Sequence, residues 1–220
     1  MSDTLYYDPL ERVIRTETAK GFFSKVEFTP WEERNYDEND TVKDSSFYQD
    51  FLENYPTNPT EAQRNEKNAL EKATVFYDTP VIRVLDSLGN AFLVNDNGLT
   101  SYYKYDIQGR LIESIDPRLY AANLSQGTTY YNFKYRYGLR VGTEENPVNP
   151  LVTDSTDGGI NLSLDNAMGN HLWNRSPRNF DQVIYYDELQ RKVKVRTKGI
   201  KNDGNIATDN VVETFIYGES

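Results

Sequence analysis

The sequence predicts an all-β protein made of repeated β-hairpins, with one short helix inserted near residues 59–73. Three observations lead to that fold class. A ten-residue pattern is written four times, as YDPLERVIRT (7–16), LDSLGNAFLV (85–94), YDIQGRLIES (105–114) and YDELQRKVKV (186–195). The stretches around it alternate apolar and polar residues with period two, the periodicity of a strand with one wet face. Only 37% of the 220 residues are hydrophobic while 13% are aromatic, 17 of them Tyr. Apolar surface therefore comes in flat amphipathic pieces that suit half-buried strands better than a compact helical core.

Taken in chain order, the pattern at 7–16 is a hairpin. GFFSKVEF (21–28) follows as a strand that sets Phe22, Ser24, Val26 and Phe28 against Phe23, Lys25 and Glu27. PTEAQRNEKNALEKA (59–73) is rich in helix formers, with Pro59 at the first helical position, acids early and Lys72 late. Its apolar content is only Ala62, Ala69, Leu70 and Ala73, which makes it a surface helix between strands. The patterns at 85–94 and 105–114 are two further hairpins. YYNFKYRYGLRV (130–141) alternates Tyr131, Phe133, Tyr135 and Tyr137 with Asn132, Lys134 and Arg136, a strand with four rings on one face. Residues 143–166 and 199–210 carry the Pro, Gly, Asn and Asp clusters of loops and hairpin tips. Between them, GNHLWNRSPRN (169–179) reads as a degenerate copy of the pattern with Trp173 for Tyr and Asn174 for Asp. The last hairpin leads into RKVKVRT (191–197), which sets Val193 and Val195 against Lys192, Lys194 and Arg196.

The pattern is an instruction for a turn. Its Asp residues stand at 8, 86, 106 and 187, close to multiples of about 20 apart, the low end of the range that signals repeat architectures. Five Tyr-Asp pairs occur, ending at Asp8, Asp37, Asp78, Asp106 and Asp187, where chance gives roughly one or two. Tyr7, Tyr105 and Tyr186 end incoming strands and pack on the neighbouring unit. Asp8, Asp86, Asp106 and Asp187 open the turn by accepting from the amide two residues on. Gly89 and Gly109 supply a positive φ without a Cβ clash, and Arg12, Arg110 and Arg191 start the outgoing strands. Glu11 and Gln190 stand at the glycine position; because a positive φ costs a non-glycine residue about 1 kcal/mol, those two turns are expected to use another geometry.

Composition excludes several function classes. With 34 acidic against 24 basic residues and a net charge of −10, the chain is unsuited to nucleic acid or an anionic membrane. It has no Cys, hence no disulfide framework, thiolate metal site or cysteine nucleophile. MSDTLYYDPL lacks the basic and apolar regions of a secretory signal, and no window approaches the ~20 apolar residues of a membrane helix. GxSxG, HExxH, P-loop and GxGxxG motifs are absent. No cofactor or metal site, and no enzyme, is expected.

The remaining chemistry-bearing residues have ordinary readings beside sharper ones. His171, the single histidine, allows one Ser-His-acid arrangement but reads as a strand or turn residue. Glu32 with Glu33 and Asp37 with Asp40 are carboxylate pairs of the kind glycosidases use, and read as solvated faces. DENDTVKD (37–44) offers oxygen donors for calcium without the glycine and terminal Glu of an EF-hand loop. Tyr131, Phe133, Tyr135 and Tyr137 are the candidate platform for stacking on sugar rings, against a packed sheet face.

The Y-D-x-x-G-R pattern resembles that of the Rhs or YD-repeat proteins. A longer ordered set of blocks is similar to the repeat region of insecticidal toxin-complex (Tc) B-type, SpvB-like proteins: YYDPLERVIRT, FFSKVEFTPWEERNYDENDTVKDS, LDSLGNAFLV and DNAMGNHLWNRSPRNFDQVIYYDELQRKVKVR, covering about residues 5–217. The resemblance implies that residues 1–220 are one YD-repeat region, a piece of a strip of hairpins that winds into a hollow shell around a C-terminal toxin. It also implies a non-catalytic structural role, a secreted or cell-surface location as part of a larger toxin, and as partners the rest of the shell, its toxin segment and other toxin-complex subunits. The self-cleaving Asp-containing core, toxin, propeller and integrin-like regions of that family are not in the sequence. The other reading is a stand-alone carbohydrate- or cell-surface-binding module of the same repeats.

Overall fold

The computed structural model describes residues 2–138, 149–200 and 205–218, and it divides into two compact units, Met1–Tyr102 and Tyr103–Ser220. The fold is all-β, as the sequence predicts, and almost every strand pairs antiparallel with the next in the chain. In the first unit these are β1 (Thr4–Tyr7), β2 (Val13–Glu17), β3 (Phe23–Phe28), β4 (Glu32–Tyr36), β5 (Val81–Leu85), β6 (Ala91–Asp96) and the start of β7 (Leu99–Tyr105). In the second they are β8 (Leu111–Ile115), β9 (Phe133–Arg136), β10 (Val152–Ser155), β11 (Gly159–Asp165), β12 (His171–Arg175), β13 (Phe180–Tyr186), β14 (Lys192–Ile200) and β15 (Ile206–Thr214).

A meander of this kind has turns on alternate rims. In each unit the connections that follow odd-numbered strands lie on one rim, and those that follow even-numbered strands lie on the other. The four-copy pattern falls wholly on the odd rim, after β1, β5, β7 and β13. Among the described residues the helical insertions fall on the even rim, after β4 and β8.

The first insertion is helical. α1 (Ser46–Glu53) is capped by the Ser45 hydroxyl, which accepts from the Tyr48 amide at 3.2 Å. α2 (Glu61–Ala73) starts with a reciprocal cap in which the Thr60 and Gln63 side chains each accept from the other's backbone amide. Phe22, Phe47, Phe51 and Tyr55 form a ladder of rings with centroids 4.8, 6.0 and 5.5 Å apart, and Val42 and Leu70 of the insertion are buried. Two of the five Tyr-Asp pairs turn out to be its gateposts rather than hairpins. Asp37 caps the way in, accepting from the Asn39 and Asp40 amides at 2.7 and 2.9 Å. On the way out, the Asp78 amide donates to the Asp40 carbonyl at 3.0 Å. The chain leaves and re-enters next to itself, so that Asn35 and Val81 remain paired.

Several expectations need correction. The helix expected over 59–73 with Pro59 at its first position begins at Glu61 instead, because the Thr60 hydroxyl accepts from the Gln63 amide and makes Thr60 the cap. Two helices were not foreseen: α1, and α3 (Pro117–Gln126), which opens with an Asp116 cap and Pro at its first turn and ends at Gly127. The loop expected over 143–166 contains β10 and β11, where Ile160, Leu162 and Leu164 alternate with Asn161 and Ser163. The loop expected over 199–210 is mostly β14 and β15; residues 143–148 and 201–204 lie outside the described residues, as do 139–141 of the stretch 130–141.

The core is thin. Among the described residues the buried apolar side chains are Phe23, Tyr36, Val42 and Leu70 in the first unit and Ile115 and Val195 in the second. Strand pairing and turn chemistry therefore carry much of the stability. Gly21 shows where close packing does matter: at φ +85° a Cβ would collide with Ser46 Oγ and approach the Phe47 amide at 3.2 Å, whereas a Cβ on Gly89, φ +83°, meets nothing within 4 Å. Gly89→Ala is expected to cost about 1 kcal/mol from backbone strain alone, and Gly21→Ala about 2–4 kcal/mol because strain and overlap add. Urea unfolding of the two variants checks the difference.

Candidate functional site

The four copies of the pattern build the same turn. In YDIQGR, the Asp106 amide donates to the Arg110 carbonyl at 2.9 Å and the Gly109 amide to the Asp106 carbonyl at 3.0 Å, with Gly109 at φ +75°. That is a three-residue loop whose last residue is left-handed. Asp106 Oδ1 accepts from the Gln108 and Arg110 amides at 2.9 and 3.0 Å, and Oδ2 takes Arg110 Nε and Nη2, both at 2.7 Å. One carboxylate thus closes both the loop and the start of the next strand. Asp8 with Arg12 and Asp187 with Arg191 repeat these contacts to within a few tenths of an ångström. At Asp86 the Asn90 side chain takes the place of the guanidinium.

The expectation that Glu11 and Gln190 change the turn is overturned. Both adopt positive φ, +61° and +62°, with the same pair of backbone bonds as Gly109. The carboxylate-centred bonds outweigh a strain of about 1 kcal/mol. The degenerate copy is also misplaced by eight residues. Asn166, not Asn174, holds the Asp position, accepting from the Met168 and Asn170 amides at 2.9 Å with Gly169 at φ +88°. Asn174 instead lies inside β12. The even rim uses the same loop in weaker form, with the hydroxyls of Thr18 and Ser176 in the carboxylate's place and Gly21 and Asn179 left-handed.

The tyrosines lock one hairpin to the next. Tyr137 lies under the Arg110 guanidinium at 4.6 Å and donates its hydroxyl to the Leu111 carbonyl at 2.9 Å, while Arg110 Nη1 donates to the Gly138 carbonyl. Tyr217 does the same to Arg191, at 4.5 Å, and to the Lys192 carbonyl at 2.8 Å. Tyr186 donates to the His171 carbonyl at 2.9 Å, one residue past the Asn166 turn. In the first unit Phe28 takes the ring's place against Arg12 at 4.2 Å and has no hydroxyl to give. The Tyr137 and Tyr217 locks hold a cation against a ring and occupy a backbone carbonyl, whereas Tyr186 occupies a carbonyl and Phe28 holds a cation. Tyr7 lies at the exposed end of β1 and Tyr105 at the end of β7.

Tyr217 and the role of Tyr137 were missed in the sequence, though a signal existed. Both precede glycine, and both stand 25 or 26 residues beyond the carbonyl they bind.

Each of the four rings read as a platform has a protein partner in the structure. Phe133 and Tyr135 stack on one face at 6.0 Å, Tyr137 is engaged in its lock, and Tyr131 precedes β9, bonded to Asp154 at 2.9 Å with Lys134 over its ring. The remaining candidates have structural partners. His171 Nδ1 lies 2.9 Å from Asp165. Glu32 pairs with Arg34 and Glu33 with Arg83. Asp37 and Asp40 hold the insertion's gateposts, with Thr79 donating to Asp40 at 2.9 Å, and Asp44 accepts from Tyr77. Among the described residues no three His, Asp or Glu side chains are grouped to share a metal ion, and no helix is long and apolar enough to cross a membrane.

The turn carboxylates sit below their ordinary pKa. At Asp8 the Arg12 amide is the main cause, and at Asp86 the Asn90 side chain. At Asp106 and Asp187 burial pushes upward and is outweighed by the amide and guanidinium of Arg110 and Arg191.

Each unit is an antiparallel meander whose pattern turns are closed by a carboxylate. Among solved structures, the chain is similar to the crystal structure of TcdB2-TccC3-Cdc42, with a TM-score of 0.76 and 28% identity over 98% of this chain. Comparable likeness holds to TcdB2-TccC3 (0.76, 27%) and to the Tc holotoxin pore of Photorhabdus luminescens (0.75, 29%). The chain spans about 9% of the length of each of those chains. No family model and no curated protein matches it.

Two predictions follow from the turn. A carboxylate held below its unfolded pKa contributes stability that is present above about pH 5 and lost as pH falls below about 4. Asp106→Asn should therefore flatten the acid limb of the melting-temperature profile, whereas an Asn166→Ala variant should lose stability equally at pH 4 and pH 7. Tyr186→Phe removes only the hydroxyl donor and should cost about 0.5–1.5 kcal/mol in urea unfolding, with the far-UV spectrum unchanged.

Proposed function

We propose that this chain is a non-catalytic wall segment of a hairpin shell of the Tc or Rhs type, which encloses a C-terminal toxin and helps deliver it. The observation that supports the reading best is the match of 98% of the chain, at a TM-score of 0.76, to TcdB2-TccC3-Cdc42. The physical character of the strip fits the role. A single layer of paired strands satisfies its backbone laterally and needs little core, so it paves area rather than filling volume. On this reading the partners are the remaining strip, the enclosed segment and other toxin-complex subunits, and the location is outside the producing cell as part of a larger toxin. The groups that resemble catalytic pairs serve the fold.

The test is removal of residues 85–116, which carry two pattern turns and the strands between them. A wall segment should then aggregate through its exposed edges, with no enzymatic activity to lose. A deletion product that stays soluble and protease-resistant would count against the wall reading.

A further inference from the structure

Strands β3 to β6 bring one row of side chains into line. Val26 pairs with Asn35 and Asn35 with Val81, and the register that sets Ile82 opposite Asn95 puts Val81 opposite Asp96. Residues directly opposite one another share a face of the sheet, so the row reads apolar, polar, apolar, polar. Together with Asn39, Phe76 and Asn97 it lines a cavity of about 550 Å³, within the size range of sites for small ligands. All of these residues belong to the first unit.

What the cavity leaves unused is mostly of one kind. The Asp96 and Asn97 side chains make no hydrogen bond or ion pair with any described residue. Asn35 Nδ2 donates to Glu33 and Asn39 Nδ2 to Asp37, which leaves the Oδ1 atom of each as an acceptor. Asp37 and Asp40 also border the cavity, but their carboxylates are taken up by backbone amides and by Thr79. Lys25, on the same wall, is engaged by Glu27 at 2.7 Å. The open capacity is therefore one carboxylate and three amide oxygens, against the Asn97 amide nitrogen and the Ser24 hydroxyl as donors. The Asn97-Gly98 turn, with both residues left-handed, holds Asp96 and Asn97 in fixed positions.

Phe76 adds a flat apolar face. It stands 49% exposed just after α2, outside the ladder of Phe22, Phe47, Phe51 and Tyr55. Among the described residues no cation lies over its ring.

A ligand that matches these groups brings several donors, a positive charge and a plane. Guanidinium is such a group: it has only donors, forks onto a carboxylate and stacks on rings. A sugar hydroxyl accepts as readily as it donates and would find few donors here. A primary ammonium has donors but no plane to lay on Phe76. A metal ion would find no grouped ligands among the described residues. Val26 and Val81 supply apolar contact for the methylene stem that carries a guanidinium.

We propose that this cavity binds a guanidinium group, borne by an arginine side chain of a peptide or by a small guanidino compound. Asp96 takes the fork, the oxygens of Asn35, Asn39 and Asn97 accept the remaining donors, and Phe76 lies against the plane. This goes beyond the wall reading and does not depend on it.

The test is an NMR titration of the intact chain at low salt. The probes are agmatine and blocked tripeptides with arginine, lysine or citrulline at the centre. Agmatine or the arginine tripeptide should shift the amide signals of Asn35, Phe76, Asp96 and Asn97, and should bind at least tenfold more tightly than the lysine and citrulline tripeptides. Asp96→Asn should weaken binding at least tenfold, because it removes the charged half of the fork. Phe76→Leu should weaken it severalfold. Asp157→Asn, at a hairpin tip of the second unit, should leave it unchanged. Circular dichroism reports whether each variant folds, and if Phe76→Leu does not, Asp96→Asn decides alone, since its side chain has no partner to lose. Tighter binding of the tripeptide than of agmatine assigns a peptide source, and the reverse a small compound; either result supports the site. The proposal is overturned if no guanidino probe shifts those four signals, if lysine or citrulline binds as tightly, or if Asp96→Asn and Asp157→Asn have equal effects. Lactose shifting the same signals while agmatine does not would also overturn it and assign the cavity to a sugar. None of these results bears on the deletion test of the wall reading.

Discussion

A single carboxylate that accepts two backbone amides and one guanidinium is the interaction on which the rest of this structure depends. It fixes the loop length, places the third residue after it in the left-handed region and sets the register of both flanking strands. The arginine it orients then offers a flat cation to the tyrosine of the next hairpin on the same rim, whose hydroxyl reaches the carbonyl just beyond. Turn closure and hairpin-to-hairpin locking are therefore the same device, as Asp106, Arg110 and Tyr137 show together.

This device explains how a chain with so few buried apolar side chains holds a defined shape. In a strip, each hairpin contacts only its neighbours, so stability is a sum of local and nearest-neighbour terms. Such an assembly tolerates substitutions that leave the closing contacts intact, which accounts for Asn in place of Asp at 166, Phe in place of Tyr at 28 and Glu in place of Gly at 11. It also accommodates insertions wherever the locks are absent. Both helical insertions sit on the rim that carries no carboxylate-closed turn, and β4 and β5 stay paired beneath the larger one.

Much of the fold was legible because its signals are local. The pattern YDxxGR encodes turn chemistry directly, and the alternation in GFFSKVEF and RKVKVRT encodes strands. What escaped reading depended on contacts distant in sequence. Tyr36-Asp37 and Tyr77-Asp78 look like hairpin turns, yet they flank an insertion because Asp40 joins them across about 40 residues. Tyr137 looks like one ring of a platform, and its actual partner lies on another hairpin. Glu11 and Gln190 were expected to alter their turns because strain was weighed alone, without the bonds that offset it. α1 and α3 were overlooked although Ser45, and Asp116 followed by Pro117, are ordinary helix starts; the strand signal around them is strong and their helices are short.

The most direct test of this account is hydrogen exchange at single-residue resolution on the intact chain near neutral pH. If the carboxylates close the turns, the amides of Leu88, Gln108, Arg110, Leu189 and Arg191 will be protected to nearly the level of the strands beside them, although they lie in or next to loops. If those amides exchange as freely as the exposed tip amides of Ser87 and Ile107, the turns are held by the strands rather than the strands by the turns, and the central claim fails.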